Sequence, residues 1–210
     1  MSGRYETDGN PEGEFQPGSD GQVLRNRLGI SDPDEMDRVE LDLLSDLQYR
    51  LYDEIEVEQR ITVEDLKRWH REWLLPVYQW AGRYRSVNIS KDGFPFMLAD
   101  RIEAGMEVYD REQLGRWTPC DGLPDEELAQ GLAESHVELI LIHPFRDGNG
   151  RIARLLSTVM ALQAGHPPLD FTILDRNKRH YIGAIHAGMS MDYAPMTAIF
   201  REILSEAPKG

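Results

Sequence analysis

The chain has 210 residues, of which 40% are hydrophobic, and a formal net charge of −14. This length suits one domain with a substantial core and an additional segment. The negative charge disfavours broad nucleic-acid binding, because the surface repels phosphate backbones. No run approaches the roughly 20 apolar residues of a membrane-spanning helix, and the first residues lack the apolar core of a signal peptide. With Cys120 as its one cysteine, the chain cannot form an internal disulfide. These features predict a cytoplasmic protein without nucleic-acid or membrane partners.

Residues 1–23 are rich in Gly, Pro, Asp and Glu, a composition that predicts a disordered or extended N-terminal arm. Residues 24–210 are predicted to form a single domain with flanking helices. Apolar residues at helical spacing indicate its first two helices. The first stripe comprises Met36, Val39, Leu43, Leu44, Leu47 and Leu51, and the second comprises Leu66, Trp69, His70, Trp73, Leu74 and Val77. Ser31 is the expected N-cap of the first helix. Thr62 and Asp65 resemble a capping box before the second, which Pro76 should bend or end.

The segment from Arg83 to Phe96 departs from helical spacing. It is rich in β-forming residues, namely Tyr84, Val87, Ile89, Phe94 and Phe96, with the turn signal Lys91-Asp92-Gly93 between them. This pattern predicts a short β-hairpin on an otherwise helical protein. Helical patterns return at about 99–115, 125–142, 150–164, 176–187 and 193–205.

The most informative segment runs from His143 to Arg154 and reads His-Pro-Phe-Arg-Asp-Gly-Asn-Gly-Arg-Ile-Ala-Arg. Pro144 disfavours helical geometry at His143, so the histidine is expected where the chain leaves a helix. The stretch Gly148-Asn149-Gly150 predicts a turn with positive φ, followed by a new helix. Successive N–H groups at such a helix start, together with its dipole, form a cradle for an anion.

Charged side chains around this cradle point to phosphate chemistry. Arg151 and Arg154 share one face of the first helical turn. Cations there are unfavourable because they oppose the helix dipole, so two of them suggest a bound anion that compensates the cost. The hard oxygens of Asp147 suit Mg²⁺ that bridges phosphates. A neutral His143 could take a proton from an attacking hydroxyl. A capped loop–helix junction with arginines facing solvent would explain any one of these residues alone, whereas their combination favours phosphate binding over that alternative. Phe145 and Ile152 are expected in the core, and Arg146 in solvent.

The same segment resembles the signature of the Fic family (filamentation induced by cAMP), His-x-Phe-x-(Asp/Glu)-Gly-Asn-Gly-Arg-x-x-Arg, at every specified position. The resemblance extends to Trp80-Ala-Gly-Arg-Tyr-Arg85 and Val87-Asn-Ile-Ser-Lys91. It implies a mainly α fold, a Fic-type helical bundle with a short β-hairpin flap over the active site. The implied activity is protein adenylyltransfer (AMPylation), in which AMP moves from ATP, with Mg²⁺, to a Ser, Thr or Tyr hydroxyl of a target protein.

The resemblance also assigns roles. His143 is the implied base and Asp147 the Mg²⁺ ligand. Gly148, Asn149 and Gly150 are implied to surround the α-phosphate, while Arg151 and Arg154 hold the β- and γ-phosphates. Tyr181 aligns loosely with residues around the adenine, and core packing is an alternative for it. The implied target-binding flap residues are Lys91, Asp92, Gly93 and Phe94.

Two other functions remain open at the level of sequence. Relatives that resemble Doc toxins transfer the γ-phosphate and carry Lys where this chain has Gly150, so the glycine favours AMP transfer. A non-catalytic, nucleotide-dependent binding module is the third reading. Many Fic proteins are inhibited by a glutamate from a Ser/Thr-x-x-x-Glu-Gly/Asn helix. The segment Ser31–Glu35 has this spacing but is followed by Met36 in place of Gly or Asn. Inhibition by an antitoxin in trans, or no inhibition of this kind, is therefore left open.

Overall fold

The computed structural model describes residues 11–91 and 93–206, and within them most of the chain is helical. The helices are α1 (Pro33–Glu54), α2 (Val63–Leu74), α3 (Ile102–Tyr109), α4 (Gly115–Trp117), α5 (Asp125–Ile142), α6 (Asn149–Gln163), α7 (Thr172–Arg176), α8 (Lys178–Gly188) and α9 (Ala194–Glu206). Two short strands, β1 (Ser90–Lys91) and β2 (Phe94–Pro95), pair antiparallel. The predicted fold class, a mainly α protein with a short hairpin, is confirmed. No helix in the described ranges combines the length and apolarity needed to cross a membrane.

The starts of the first two helices follow from their capping residues. The Asp32 side chain accepts the Glu35 N–H at 2.7 Å, so Asp32, rather than the predicted Ser31, is the N-cap of α1. The reason is Pro33, which has a fixed φ suited to the first helical position and so sets the start one residue later. The capping box of Thr62 and Asp65 is confirmed at the start of α2.

Helix α5 is the central element. Residues around most of its circumference are buried, as expected for a helix enclosed by others, and it packs against α6 and α9. The loop between α5 and α6 carries the motif. Phe145 and Ile152 are fully buried, which confirms the prediction that both belong to the core.

Two predicted helices are interrupted. The pattern at 99–115 becomes a 3₁₀ turn (Ala99–Arg101), α3, a π-helical turn (Asp110–Leu114) and α4. The π turn begins at Asp110, whose carboxylate accepts the Val63 N–H at 2.8 Å and an Arg60 N–H at 2.7 Å. This contact with the start of α2 is tertiary, so helical periodicity could not reveal it. The pattern at 176–187 is divided between α7 and α8 at Asn177.

The described part of the predicted arm, residues 11–23, is folded against the body rather than disordered; residues 1–10 lie outside the described ranges. Phe15 forms a β-bridge with Leu24, and Val23 and Leu24 are buried. The Glu12 carboxylate accepts the Ser86 N–H at 3.0 Å. The arm therefore reaches the base of the hairpin.

Candidate active site

The loop between α5 and α6 has two residues with left-handed backbone geometry. His143 ends α5 with φ 52° and ψ 59°, and its N–H donates to the Leu139 carbonyl at 2.9 Å. Gly148 precedes α6 with φ 83°. A Cβ added to Gly148 would lie 2.7 Å from Trp73, so both the backbone angle and the available space require glycine. His143 thus lies where the chain leaves helix α5, as predicted.

The His143 imidazole is held in one tautomer by a backbone carbonyl. Its Nδ1 lies 3.0 Å from the Ile140 carbonyl oxygen. Because a carbonyl only accepts hydrogen bonds, Nδ1 carries the proton and Nε2 is the nitrogen that can accept one. Burial lowers the pKa of His143 to about 3, so the ring is neutral at physiological pH.

Asp147 lies within the loop, four residues after the histidine. Its Oδ1 accepts the Gly148 N–H at 2.6 Å and lies 3.6 Å from Arg151 Nη2. In the described part of the chain, no three His, Cys, Asp or Glu side chains cluster closely enough to hold a metal. One carboxylate fits Mg²⁺ that is bound jointly with phosphate oxygens, which is its usual mode in nucleotide sites, rather than a cage made of protein ligands.

The predicted turn at residues 148–150 differs in the structure, because of these three residues only Gly148 has a positive φ. Asn149 and Gly150 already belong to α6. The Asn149 side chain accepts the Phe145 N–H and donates to the Phe145 carbonyl, each at 2.8 Å, so it braces the loop internally. The first N–H groups of a helix have no intrahelical acceptor. In α6 these N–H groups point out of the helix start, where the dipole also favours an anion.

Arg151 and Arg154 each meet a carboxylate from a distant segment. Arg151 Nη1 lies 2.5 Å from Glu40 Oε2 of α1, and its guanidinium lies over the Trp73 ring at 4.5 Å from the centroid. Arg154 Nη2 lies 3.0 Å from Asp175 Oδ1 of α7. Neither partner was predicted from the sequence. Glu40 had a signal, because it lies four residues after Met36 on the apolar stripe of α1.

His70 of α2 is a further residue whose contact with the loop the sequence did not predict. Its Nδ1 accepts the Gly82 N–H at 2.8 Å, so Nε2 carries the proton and donates to the Asp147 carbonyl oxygen at 3.0 Å. The ring stacks on Phe145 at 4.0 Å between centroids. Burial lowers the pKa of His70 to about 4. His70 therefore holds the loop through the Asp147 carbonyl and through its contact with the Phe145 ring.

The hairpin covers the histidine. Phe96, just after β2, stacks on the His143 ring at 3.7 Å between centroids, and Phe94 stacks on His186 of α8 at 4.9 Å. His143 is consequently only 5% exposed. Of the predicted flap residues, Lys91 and Phe94 pair across the hairpin and Gly93 turns with φ 79°, whereas Asp92 lies outside the described residues.

Arg85 anchors the base of this flap. It is almost fully buried, and its guanidinium donates to the carbonyl oxygens of His143 at 2.8 Å, Val87 at 2.6 Å and Met97. It also donates to the Ile142 carbonyl at 3.4 Å. One side chain therefore holds both ends of the flap and the end of α5.

Arg146 and Tyr181 are both more enclosed than solvent-facing side chains. Arg146, predicted to be solvated, is 1% exposed, and its Nε donates to the Glu12 carbonyl at 2.9 Å. That prediction was wrong because the arm folds over the loop. The Tyr181 hydroxyl lies 2.9 Å from His136 Nε2, and burial raises the pKa of Tyr181 to about 12 although the charge of Arg154 lowers it.

Comparison with known proteins gives one consistent family. The sequence profile of the Fic/DOC family matches residues 60–161. A probable protein adenylyltransferase, y4lH of Sinorhizobium fredii, is 30% identical over 185 residues, which are 87% of this chain and 91% of the relative. The protein adenylyltransferase VbhT of Bartonella schoenbuchensis is 29% identical over 205 residues, which are 97% of this chain but 41% of the relative. In fold, the chain is similar to the BepC protein of Bartonella tribocorum, crystallised with AMPPNP, with a TM-score of 0.69, 22% identity and coverage of 89% of this chain and 93% of that one.

Proposed function

The chain belongs to the Fic/DOC family, and we propose that it is a protein adenylyltransferase that transfers AMP from ATP to a hydroxyl group of a target protein. The observation that carries the proposal is the neutral His143, which has Nε2 as its proton-accepting atom. His143 begins the loop that leads into the start of α6. Relatives that are 29% and 30% identical to this chain are named as a protein adenylyltransferase and a probable protein adenylyltransferase, which supports nucleotidyl transfer as the reaction of the family.

The proposed reaction uses His143 of the loop and the charged and N–H groups of the first turn of α6. The oxygen of a Ser, Thr or Tyr hydroxyl attacks the α-phosphorus while His143 Nε2 takes the hydroxyl proton. The bond from the α-phosphorus to the bridging oxygen breaks, and pyrophosphate leaves with the electron pair. The N–H groups at the start of α6 and the guanidinium groups of Arg151 and Arg154 stabilise the charge on the phosphates.

Asp147 is the residue that would hold Mg²⁺, and Mg²⁺ would neutralise charge on the phosphate oxygens. The carboxylate is prepared for this role, because the Gly148 N–H fixes one of its oxygens. Asp175 would have to leave Arg154 when the γ-phosphate arrives. The cost is small, since the Asp175 side chain is 68% exposed and such surface pairs contribute little.

The flap supports a proposed mode of target binding. Among the described residues, strands β1 and β2 form a sheet of two strands, so an extended target segment could pair with an outer edge by β-augmentation. Lys91, Asp92, Gly93 and Phe94 would then contact the target, and Tyr181 would lie toward the adenine. Inhibition by an antitoxin in trans remains part of the proposal, because the partner of Arg154 is Asp175 and Glu35 lies in the exposed first turn of α1.

The test is a labelling experiment in a cell lysate with Mg²⁺ and ATP labelled at either the α- or the γ-phosphate. We expect label from the α-phosphate only, and its loss in His143→Ala and after chelation of Mg²⁺. His166→Ala is a matched control, because this histidine pairs with Asp125 at the start of α5, and it should retain labelling. Label from the γ-phosphate would instead indicate Doc-like kinase chemistry. Binding of ATP without transfer of either label would indicate a binding module.

A further inference from the structure

Glu40 is a buried carboxylate at the centre of a small network. Its side chain is fully buried although it lies on α1, a helix with an acidic outer surface. Oε1 accepts the Tyr78 hydroxyl at 2.6 Å, and Oε2 accepts from Arg151 at 2.5 Å. The backbone carbonyl of Glu40 accepts the Trp73 indole N–H at 2.8 Å. A charge this deep is costly unless it is paired and hydrogen-bonded, and replacing such a pair by apolar residues often leaves stability unchanged. Stability alone is therefore a weak reason for this arrangement.

The network fixes the Arg151 guanidinium on three sides. Glu40 holds Nη1, Asp147 Oδ1 lies 3.6 Å from Nη2, and the Trp73 ring lies beneath the plane. The Arg151 side chain nevertheless keeps 29% of its surface exposed. A free arginine side chain samples many rotamers, and ordering it when a ligand binds costs affinity. Here the contacts with Glu40, Asp147 and Trp73 order the Arg151 side chain in advance of ligand binding.

We propose that Glu40 is a positioning residue, which holds Arg151 in the orientation that binds the terminal phosphates of the nucleotide. The inference rests on the proposed function, since it assumes that Arg151 meets those phosphates. It predicts that Glu40 matters for ATP and not for AMP, which lacks the terminal phosphates. Ordering one arginine in advance corresponds to roughly a tenfold gain in affinity.

Two effects of Glu40 on ATP binding oppose each other. Its negative charge weakens the attraction between Arg151 and a phosphate, whereas its hydrogen bond orders the guanidinium. We expect ordering to dominate, because Glu40 occupies Nη1 and leaves the other edge of the guanidinium to donate charge-assisted hydrogen bonds. The sign of the effect in Glu40→Gln decides between them, since glutamine removes the charge and keeps an acceptor.

The chain offers a matched control in Glu134. This buried carboxylate accepts the Trp117 indole N–H at 3.0 Å and pairs with Arg116 at 3.3 Å, and Arg116 lies over the Trp117 ring at 4.4 Å. Its surroundings resemble those of Glu40, with a carboxylate paired to an arginine that lies over a tryptophan ring, although the Trp117 indole donates to the carboxylate and the Trp73 indole to the Glu40 backbone. The hydrogen-bond partners of Glu134 lie outside residues 143–154.

The experiment measures the dissociation constants of ATP and AMP by calorimetry, with Mg²⁺, in a His143→Ala background that prevents turnover. We expect the ratio of the AMP constant to the ATP constant to fall about tenfold in Glu40→Ala and about threefold in Glu40→Gln, because a neutral acceptor holds the arginine less firmly. The ratio should not change in Glu134→Ala or Glu134→Gln. A loss of folded protein lowers both affinities alike and leaves the ratio unchanged.

Each other outcome has a definite meaning. If Glu40→Ala does not fold, the isosteric Glu40→Gln decides, and an unchanged or increased ratio overturns the positioning role. Adding Glu40→Gln to Arg151→Ala should have no further effect on the ratio, and a further fall would also overturn it. If the unmutated pocket binds ATP no more tightly than AMP, the inference fails at its premise. If the ratio falls as predicted in the Glu40 variants but the wild-type chain transfers no AMP, the proposed function is refuted and the positioning role stands.

Discussion

Gly148→Ala tests the geometry of the loop most directly. The substitution forces a residue with a Cβ into φ 83°, which costs about 1–2 kcal/mol in the left-handed region. The new Cβ would also lie 2.7 Å from Cζ3 and 3.1 Å from Cη2 of the buried Trp73 ring. Overpacking of this kind costs about 1–3 kcal/mol. The expected loss in the free energy of unfolding is therefore about 2–5 kcal/mol, a large part of the stability of a typical domain.

Denaturant unfolding measures this loss, and Gly150→Ala is its control. A Cβ at Gly150 meets no heavy atom within 4 Å, and Gly150 has no positive φ. Alanine should leave the free energy of unfolding unchanged there or raise it by up to about 1 kcal/mol, because alanine favours a helix over glycine. The reasoning is refuted if Gly148→Ala lies within about 0.5 kcal/mol of the wild type, or if both variants lose equal stability.

Two further predictions concern the buried histidines and the flap. Burial lowers the pKa of His143 and His136 to about 3 and that of His70 to about 4, from 6.5. Below about pH 6.5 the unfolded chain therefore binds more protons than the folded chain. The contribution of these neutral rings to the free energy of unfolding is fully present above that pH. It is lost as the pH falls toward the folded pKa values, by up to about 1.4 kcal/mol per pH unit for each histidine. Denaturant unfolding between about pH 7 and pH 5 measures the slope, and a flat profile would contradict neutral buried rings. Separately, Phe96→Ala should make His143 react faster with diethyl pyrocarbonate, as followed by peptide mass spectrometry. In the control, Phe94→Ala, that ring stays covered, and equal reactivity in both variants would count against shielding by Phe96.

Local sequence signals predicted the elements of the fold well. The apolar stripe and the capping box placed α2, since both act over a few residues. Pro144 correctly indicated that His143 ends α5. The turn signal between β-forming residues placed the hairpin, although the strands proved to be only two residues long. In each case the determining interactions lie within a few positions along the chain.

The contacts that organise the site were beyond sequence reasoning because they join distant segments. Glu40 and Arg151 are separated by 111 positions, and His70 lies 77 positions from Asp147. Helical spacing identifies which face of α1 or α2 is buried, but not which side chain it meets there. Arg146 shows the same limit, since its burial depends on Glu12 at the far end of the chain. A charged or imidazole group on an apolar stripe is the signal that indicates such a contact.

The anchoring of the flap by Arg85 has a mechanical consequence. The guanidinium binds the carbonyls of Val87 and Met97, at the two ends of the flap, and the carbonyl of His143 itself. A movement that uncovers the imidazole therefore has its hinges between these two anchor points, within residues 88–96. The backbone under His143 does not take part in that movement. As long as Arg85 keeps these hydrogen bonds, the His143 carbonyl stays joined to both ends of the flap.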